Sequence, residues 1–186
     1  KKINLIGNIK YIENIKDKKD DIDKKLKSQF KKYKIYVAAS THEGEELFAA
    51  KTHMILKKKN KKLITILIPR HVSRINEINN ELKDLNLKII HHSSKNKNLR
   101  NIDIYIVDTF GESKKFYKIA STVFVGGSMI NRGGQNPLEP ARYGTKILHG
   151  PNVGNFKEIY DYLNSLNISS KVKTPLEISN SFKLKK

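Results

Sequence analysis

Runs of three to six apolar residues recur along the chain, each closed by glycine, proline or a polar cluster. Ile35-Tyr36-Val37-Ala38-Ala39, Leu63 to Ile68, Leu87 to Ile90, Ile104-Tyr105-Ile106-Val107, Thr122 to Val125 and Lys146-Ile147-Leu148 read as buried strands. Between them apolar positions recur at helical spacing. Ile22, Leu26 and Phe30 predict an amphipathic helix within Lys16 to Lys34, and Leu47 to Lys57 predicts a second. A third starts at Ser73 and carries Ile75, Ile78, Leu82 and Leu85; a fourth holds Phe116, Tyr117, Ile119 and Ala120. A fifth runs from about Phe156 to Leu166, and Pro175 to Ser181 reads as a short last one. Ile3 to Ile6 reads as an extended piece that turns at Gly7-Asn8. Strands alternating with amphipathic helices predict an α/β fold: a Rossmann-like parallel sheet with helices on both faces.

Polar and glycine-rich segments fall repeatedly just after the strands, where open α/β sheets bind ligands. The densest is Val125 to Ala141, with Gly126-Gly127-Ser128, Gly133-Gly134 and Asn136-Pro137-Leu138-Glu139. Proline at a first helical position would make Asn136 an N-cap and Glu139 the partner of a capping box. Free N–H groups at such a helix start suit an anion; an ordinary strand–loop–helix connection has the same pattern. Arg70, His71 and Arg74 put positive charge at another strand end, suited to phosphate or carboxylate. Asp108 and Glu112 flank Gly111, where a carboxylate can orient a ribose hydroxyl. Surface arginines and helix-start acids are the alternatives for these two groups. His42, Glu43, Glu45 and Glu46 could bind metal or serve as acid/base groups, but the spacing is not His-Glu-x-x-His, and helix-start acids are common. His91-His92 reads as surface. The chain has no P-loop, no Gly-x-Gly-x-x-Gly and no Gly-x-Ser-x-Gly. What remains is a domain for a nucleotide-type ligand.

Composition changes this picture little. The net charge of +19 invites a nucleic-acid reading, but only five of the 37 basic residues are arginine. The lysine runs, such as Lys57-Lys58-Lys59 and Lys61-Lys62, lack interleaved aromatics and sit where solvated faces should be. No nucleic-acid partner is expected; attraction to an anionic lipid surface is. Without cysteine there is neither a disulfide nor a thiolate metal site. The 186 residues suit one domain, no apolar run is long enough to span a bilayer, and no signal peptide opens the chain. The start at Lys1 leads us to expect that the natural N-terminus lies upstream.

Taken in order, the loops resemble the C-terminal half of 3-deoxy-D-manno-octulosonic acid (Kdo) transferases. The matching pieces are Gly7 to Tyr11, Ala39 to Glu46, Pro69-Arg70-His71 with Arg74, Asp108 to Glu112, Gly126-Gly127-Ser128, Gly133 to Ala141, and Gly150-Pro151-Asn152 with Asn155-Phe156. The family is similar to two-domain glycosyltransferases of the GT-B type. The resemblance implies transfer of Kdo from CMP-Kdo to a lipid A precursor in lipopolysaccharide synthesis, at the cytoplasmic face of the inner membrane. By the same resemblance the reaction would be inverting and would use no metal and no cofactor. This chain would supply the donor half, inactive alone, and the general base would lie in an N-terminal acceptor domain absent here. Residues 1–15 would be linker, 16–167 the donor-binding domain and 168–186 a C-terminal segment. The motif match assigns donor binding to Ser40, His42, Glu43, Arg70, His71, Asp108, Gly111, Glu112, Gly127, Ser128, Asn136 and Glu139. Two positions depart from the family pattern: Gln135 stands where it has His, and Ser113 where it has Leu. Another nucleotide-sugar transferase half, a basic nucleic-acid-binding module or a non-catalytic α/β module are the competing readings.

Overall fold

The structure, a computed structural model, describes residues 21–182. The expected extended piece at Ile3 to Ile6, the Gly7 to Tyr11 motif and the start of the first helix lie outside the described residues. In chain order the elements are α1 (Lys24–Phe30), β1 (Lys34–Thr41), α2 (Glu45–Lys59), β2 (Leu63–Pro69), α3 (Ile75–Leu82), β3 (Ile89–His91), β4 (Ile104–Ile106) and α4 (Ser113–Tyr117). They continue with β5 (Thr122–Val125), α5 (Leu138–Ala141), β6 (Lys146–His149), α6 (Lys157–Ser165), β7 (Ser169–Lys171) and α7 (Pro175–Ser181).

The strands form one seven-stranded sheet in the order β3-β4-β2-β1-β5-β6-β7, and every pairing is parallel. A sheet covered on both faces needs apolar residues at successive positions, not alternate ones. The strands meet that need with the two-residue period of the pleat. Ile35, Val37, Ala39, Ile64, Ile66, Val123, Val125 and Ile147 enter one core layer, with Leu26 and Phe30 of α1, Phe116 of α4 and Tyr160 of α6. Tyr36, Ala38, Leu63, Leu67, Phe124 and Leu148 enter the other, with Ala49, Ala50 and Leu56 of α2, Ile78 and Leu82 of α3 and Ile178 of α7.

From β1 the chain passes to β2, then to the edge strand β3 and back to β4 between them, before β5 is laid on the other side of β1. The strand order reverses between β1 and β5, and their carboxyl ends part to leave a crevice. The segment after Asn167 is part of the same sheet and core. β7 pairs with β6, Val172 is buried, and α7 is buried at Ile178. Ser169-Ser170-Lys171 has no apolar alternation, so its pairing cannot be read locally. The largest departure from expectation is α5, a single turn capped at Pro137 rather than Asn136. Pro140 supplies no N–H to extend it, and Gly144 at φ 69° turns the chain away.

Candidate functional site

Both walls of the crevice start from unusual backbone. β1 ends at Ser40, which holds φ 54°, and the pairing with β2 slips there between Ala39 and Thr41. A left-handed serine costs of order 1 kcal/mol and persists only where its surroundings fix it. The bend swings Thr41 and His42 out of the strand and leads to α2. Opposite, Gly126 leaves β5 so close to Ser40 that any Cβ would overlap the Ser40 carbonyl and stand 2.8 Å from Glu45 Oε2. Only glycine lets the two walls meet.

Glu45, 1% exposed, joins them. Its Oε2 accepts from the backbone N–H of His42 at 3.0 Å and of Gly127 at 2.7 Å. Its Oε1 accepts from Ser128 N–H at 3.0 Å and Met129 N–H at 2.9 Å. The glycine-rich loop beyond β5 is pinned from β6. Ser128 Oγ donates to Val125 O at 2.6 Å and accepts from Gly150 N–H at 2.8 Å. Asn152 N–H donates to Ser128 O, Asn155 N–H to Gly133 O, and Tyr160 OH to Gln135 O. Asn136 Oδ1 accepts from Leu138 N–H at 3.0 Å, so its side chain still closes the turn although Pro137 occupies the cap. The expected capping box is not made in that form. Glu139 is half-buried; after burial itself, its charge helps push the Tyr117 phenol up.

Between the walls opens a cleft of about 510 Å³, lined by His42, Glu43, His71, Arg74, Glu81 and Arg132 among others. The His42 and His71 rings meet edge to face at 5.8 Å. Burial lowers the His42 pKa; Glu45 opposes that, and Arg132, His71 and Arg70 lower it further. His42 is therefore a neutral imidazole at pH 7, with a buried Nε2 that has no hydrogen-bond partner among the described residues. Arg74 is engaged: Nη1 lies 3.1 Å from Glu46 Oε1 and Nε 3.1 Å from Glu77 Oε2. Glu46 is fully buried, and burial raises its pKa despite Arg74. Arg70 is exposed just past β2, its N–H bonded to Thr41 O at 2.9 Å.

The Asp108 to Glu112 loop stands apart, beyond β2 at the end of β4. Asp108 accepts from Ser93 N–H at 2.8 Å and Ser93 Oγ at 2.5 Å. Burial works against ionisation there, but the Ser93 bonds hold its carboxyl below the usual range. Glu112 pairs with Lys115 at 2.7 Å and lies 3.6 Å from His92 Nε2. His92 corrects the surface expectation: it is half-buried, shares a 2.6 Å hydrogen bond with Tyr105 OH and packs against Phe116. Gly111 holds φ 78°, and Phe110 beside it is 78% exposed.

Thus the structure brings His42, Glu43 and His71 together in one cleft; Ser40, Gly127 and Ser128 form the β1–β5 junction beside it, and Arg70 is exposed just past β2. The structure leaves Asp108, Gly111 and Glu112 two strands away from β1 on the same sheet edge. Sequence reasoning weighed Glu45 only as a metal or acid/base candidate and left both it and Arg132 out of the donor-binding set. Glu45 looked like any helix-start acid, because its partners are 82 to 84 residues away; Arg132 sat in a loop whose path sequence cannot give. Among the described residues no group of three or more His, Asp or Glu is placed to hold a metal ion, and no helix is long and apolar enough to cross a membrane.

The wholly parallel sheet and its switch-point cleft define a Rossmann-like α/β domain. No family model matches the chain. It is 36% identical to 3-deoxy-D-manno-octulosonic acid transferase of Haemophilus influenzae over 163 residues, which cover 87% of this chain and 38% of that protein. It is 31% identical to the Aquifex aeolicus protein of the same name over 154 residues, 83% of this chain and 41% of that one. The fold matches the C-terminal CMP-Kdo binding domain of WaaA from Acinetobacter baumannii with a TM-score of 0.77 and 26% identity, over 85% of each chain. Along most of its length the chain matches Kdo transferases, and its fold corresponds to the C-terminal CMP-Kdo binding domain of one of them. It spans about two fifths of the length of these curated relatives.

Proposed function

We propose that the chain is the donor-binding half of a Kdo transferase. It holds CMP-Kdo while Kdo passes to a lipid A precursor bound by an acceptor domain outside this sequence, at the cytoplasmic face of the inner membrane. The reading rests above all on the match to a CMP-Kdo binding domain over 85% of the chain's length, with a cleft lined by His42, His71 and Arg132 at the switch point. Cleaving the sugar–phosphate bond develops negative charge on CMP. Fixed cations can stabilise that charge without a metal. In this reading His42, His71, Arg70 and Arg132 face the anionic groups of the donor. Glu43, Ser40, Gly127 and Ser128 shape the cleft, and Asn136 and Glu139 close it from the β5 side. Asp108, Gly111 and Glu112 hold the nucleoside further along the sheet edge. Residues 16–167 carry the donor site, and 168–182 complete the fold beneath it.

Titration calorimetry of the chain with CMP, using UMP and GMP as controls, tests this. CMP is expected to bind more tightly than either control. Arg70→Ala is expected to weaken it by about tenfold, the loss of one charge-assisted contact. Equal affinity for all three nucleotides would leave only a generic anion site, and no binding by the folded chain would remove the donor reading.

A further inference from the structure

Successive backbone N–H groups that converge on one point form an anion-binding concavity. Gly127, Ser128 and Met129 make such a cradle at the switch point, where a bound phosphate would be expected. In this chain the cradle is occupied from within. The Glu45 carboxylate takes all three N–H groups and adds that of His42 from the opposite wall. Each oxygen receives two donors, so the four bonds saturate the group, and it is shut off from water. An ordinary helix-start acid would face solvent over its own first turn. This one instead reaches across the sheet to a loop that enters the chain more than 80 residues later.

We infer that Glu45 is the positioning residue of the cleft: a built-in anion that fixes the Gly126–Met129 turn and the His42 backbone in one geometry. Donor anions are consequently met by side chains, His42 and His71 of the opposite rim and Arg132 further along the β5 loop, and not by the amides of the glycine turn. His42 is held from both sides. Glu45 fixes its backbone, and its ring lies over Gly127, where a Cβ would stand 3.4 Å from His42 Cδ2. The part of this inference that concerns the donor rests on the reading above; the part that concerns the turn does not.

The test compares the 186-residue chain with its Glu45→Gln and Glu45→Ala variants. Gln has nearly the same volume but presents an NH₂ group to two of the four donors, so it removes about half of the bonds without opening a cavity. Ala empties the cradle, and free acetate can refill it. Two quantities are measured: hydrogen exchange at the amides of His42, Gly127, Ser128 and Met129, and CMP affinity in sodium acetate against sodium chloride at equal ionic strength. Both variants are expected to exchange these four amides faster, and to bind CMP more weakly, by on the order of tenfold or more. Acetate should restore both quantities in Glu45→Ala and neither in Glu45→Gln. Unchanged protection of the four amides in folded Glu45→Gln overturns the inference, as does unchanged CMP affinity once protection is lost. Should Glu45→Ala fail to fold, the Gln variant decides alone. Should the unaltered chain fail to bind CMP, the donor reading falls, while amide exchange still decides the role of Glu45 in the turn.

Discussion

At the scale of single residues the cleft depends on atoms that are not there. Gly150 leaves β6 directly against the Ser128 backbone, so a Cβ would overlap the Ser128 carbonyl. Backbone cannot rotate aside as a side chain can. Gly150→Ala is therefore expected to lower stability by about 1–3 kcal/mol, read as a lower urea midpoint, and to loosen the turn that Gly150 N–H anchors through Ser128 Oγ. The glycines of this segment were legible from sequence because close approach demands a residue type. The carboxylate that organises them was not. Glutamate at a helix start has a sufficient local explanation, and nothing near it in the chain points to partners so distant. Asp108 is similar: its pattern with Gly111 and Glu112 was visible, but its partner Ser93 was not.

At the scale of elements, the capping side chains and docking faces carry separable contributions. Asp23 Oδ1 accepts from Lys25 N–H at 3.0 Å and Leu26 N–H at 3.2 Å, capping α1. Asp23→Ala should cost about 1 kcal/mol, seen as an earlier thermal transition. α7 is a seven-residue helix started by Thr174 and Pro175, and it presents the fully buried Ile178 to the second core layer. Ile178→Ala is expected to cost about 2–5 kcal/mol, a loss that a dangling tail would not show under the same urea titration. Elements with their own signal were readable: β5 from Thr122-Val123-Phe124-Val125 before a glycine pair, and α7 as a short helix over Pro175 to Ser181. β7 and α5 were not. The first is a strand only because β6 offers an edge, and the second is cut to one turn by Pro140 and the left-handed Gly144.

At the scale of the whole molecule, the parallel sheet and its two covered faces could be read from the apolar runs. The strand order could not, since periodicity carries no information about neighbours. Packing α2 across the sheet also buries a titratable group far from the cleft. His53 is fully buried between Thr65, 2.9 Å from Nδ1, and Asp103, 3.4 Å from Nε2. A carboxylate can only accept, so Nε2 carries the proton and Nδ1 accepts from the Thr65 hydroxyl. Burial pushes the His53 pKa down to about 4, against the opposing pull of Asp103. The folded state then binds fewer protons than the unfolded state below the ordinary value of 6.5. Stability contributed by neutral His53 is complete above that value and drains away as pH falls toward 4, by about 3 kcal/mol in all. Urea unfolding between about pH 7 and 4 should show this slope, and His53→Gln should reduce it, leaving the smaller part that His42, His92 and His149 contribute.

The placement of β1 also has a consequence in time. Its pairing with β2 can form as soon as residue 69 is made, but its other edge waits for Thr122 to Val125. At synthesis rates of about 5–20 residues per second, that edge stays open for roughly 3–11 s. During this interval the carboxylate at the start of α2 has no cradle to enter, and the central strand of the finished sheet is an exposed border. Hydrophobic strands with an open border are where chains join one another. Nascent chains halted before residue 122 should therefore associate, whereas chains released after β5 has docked should not.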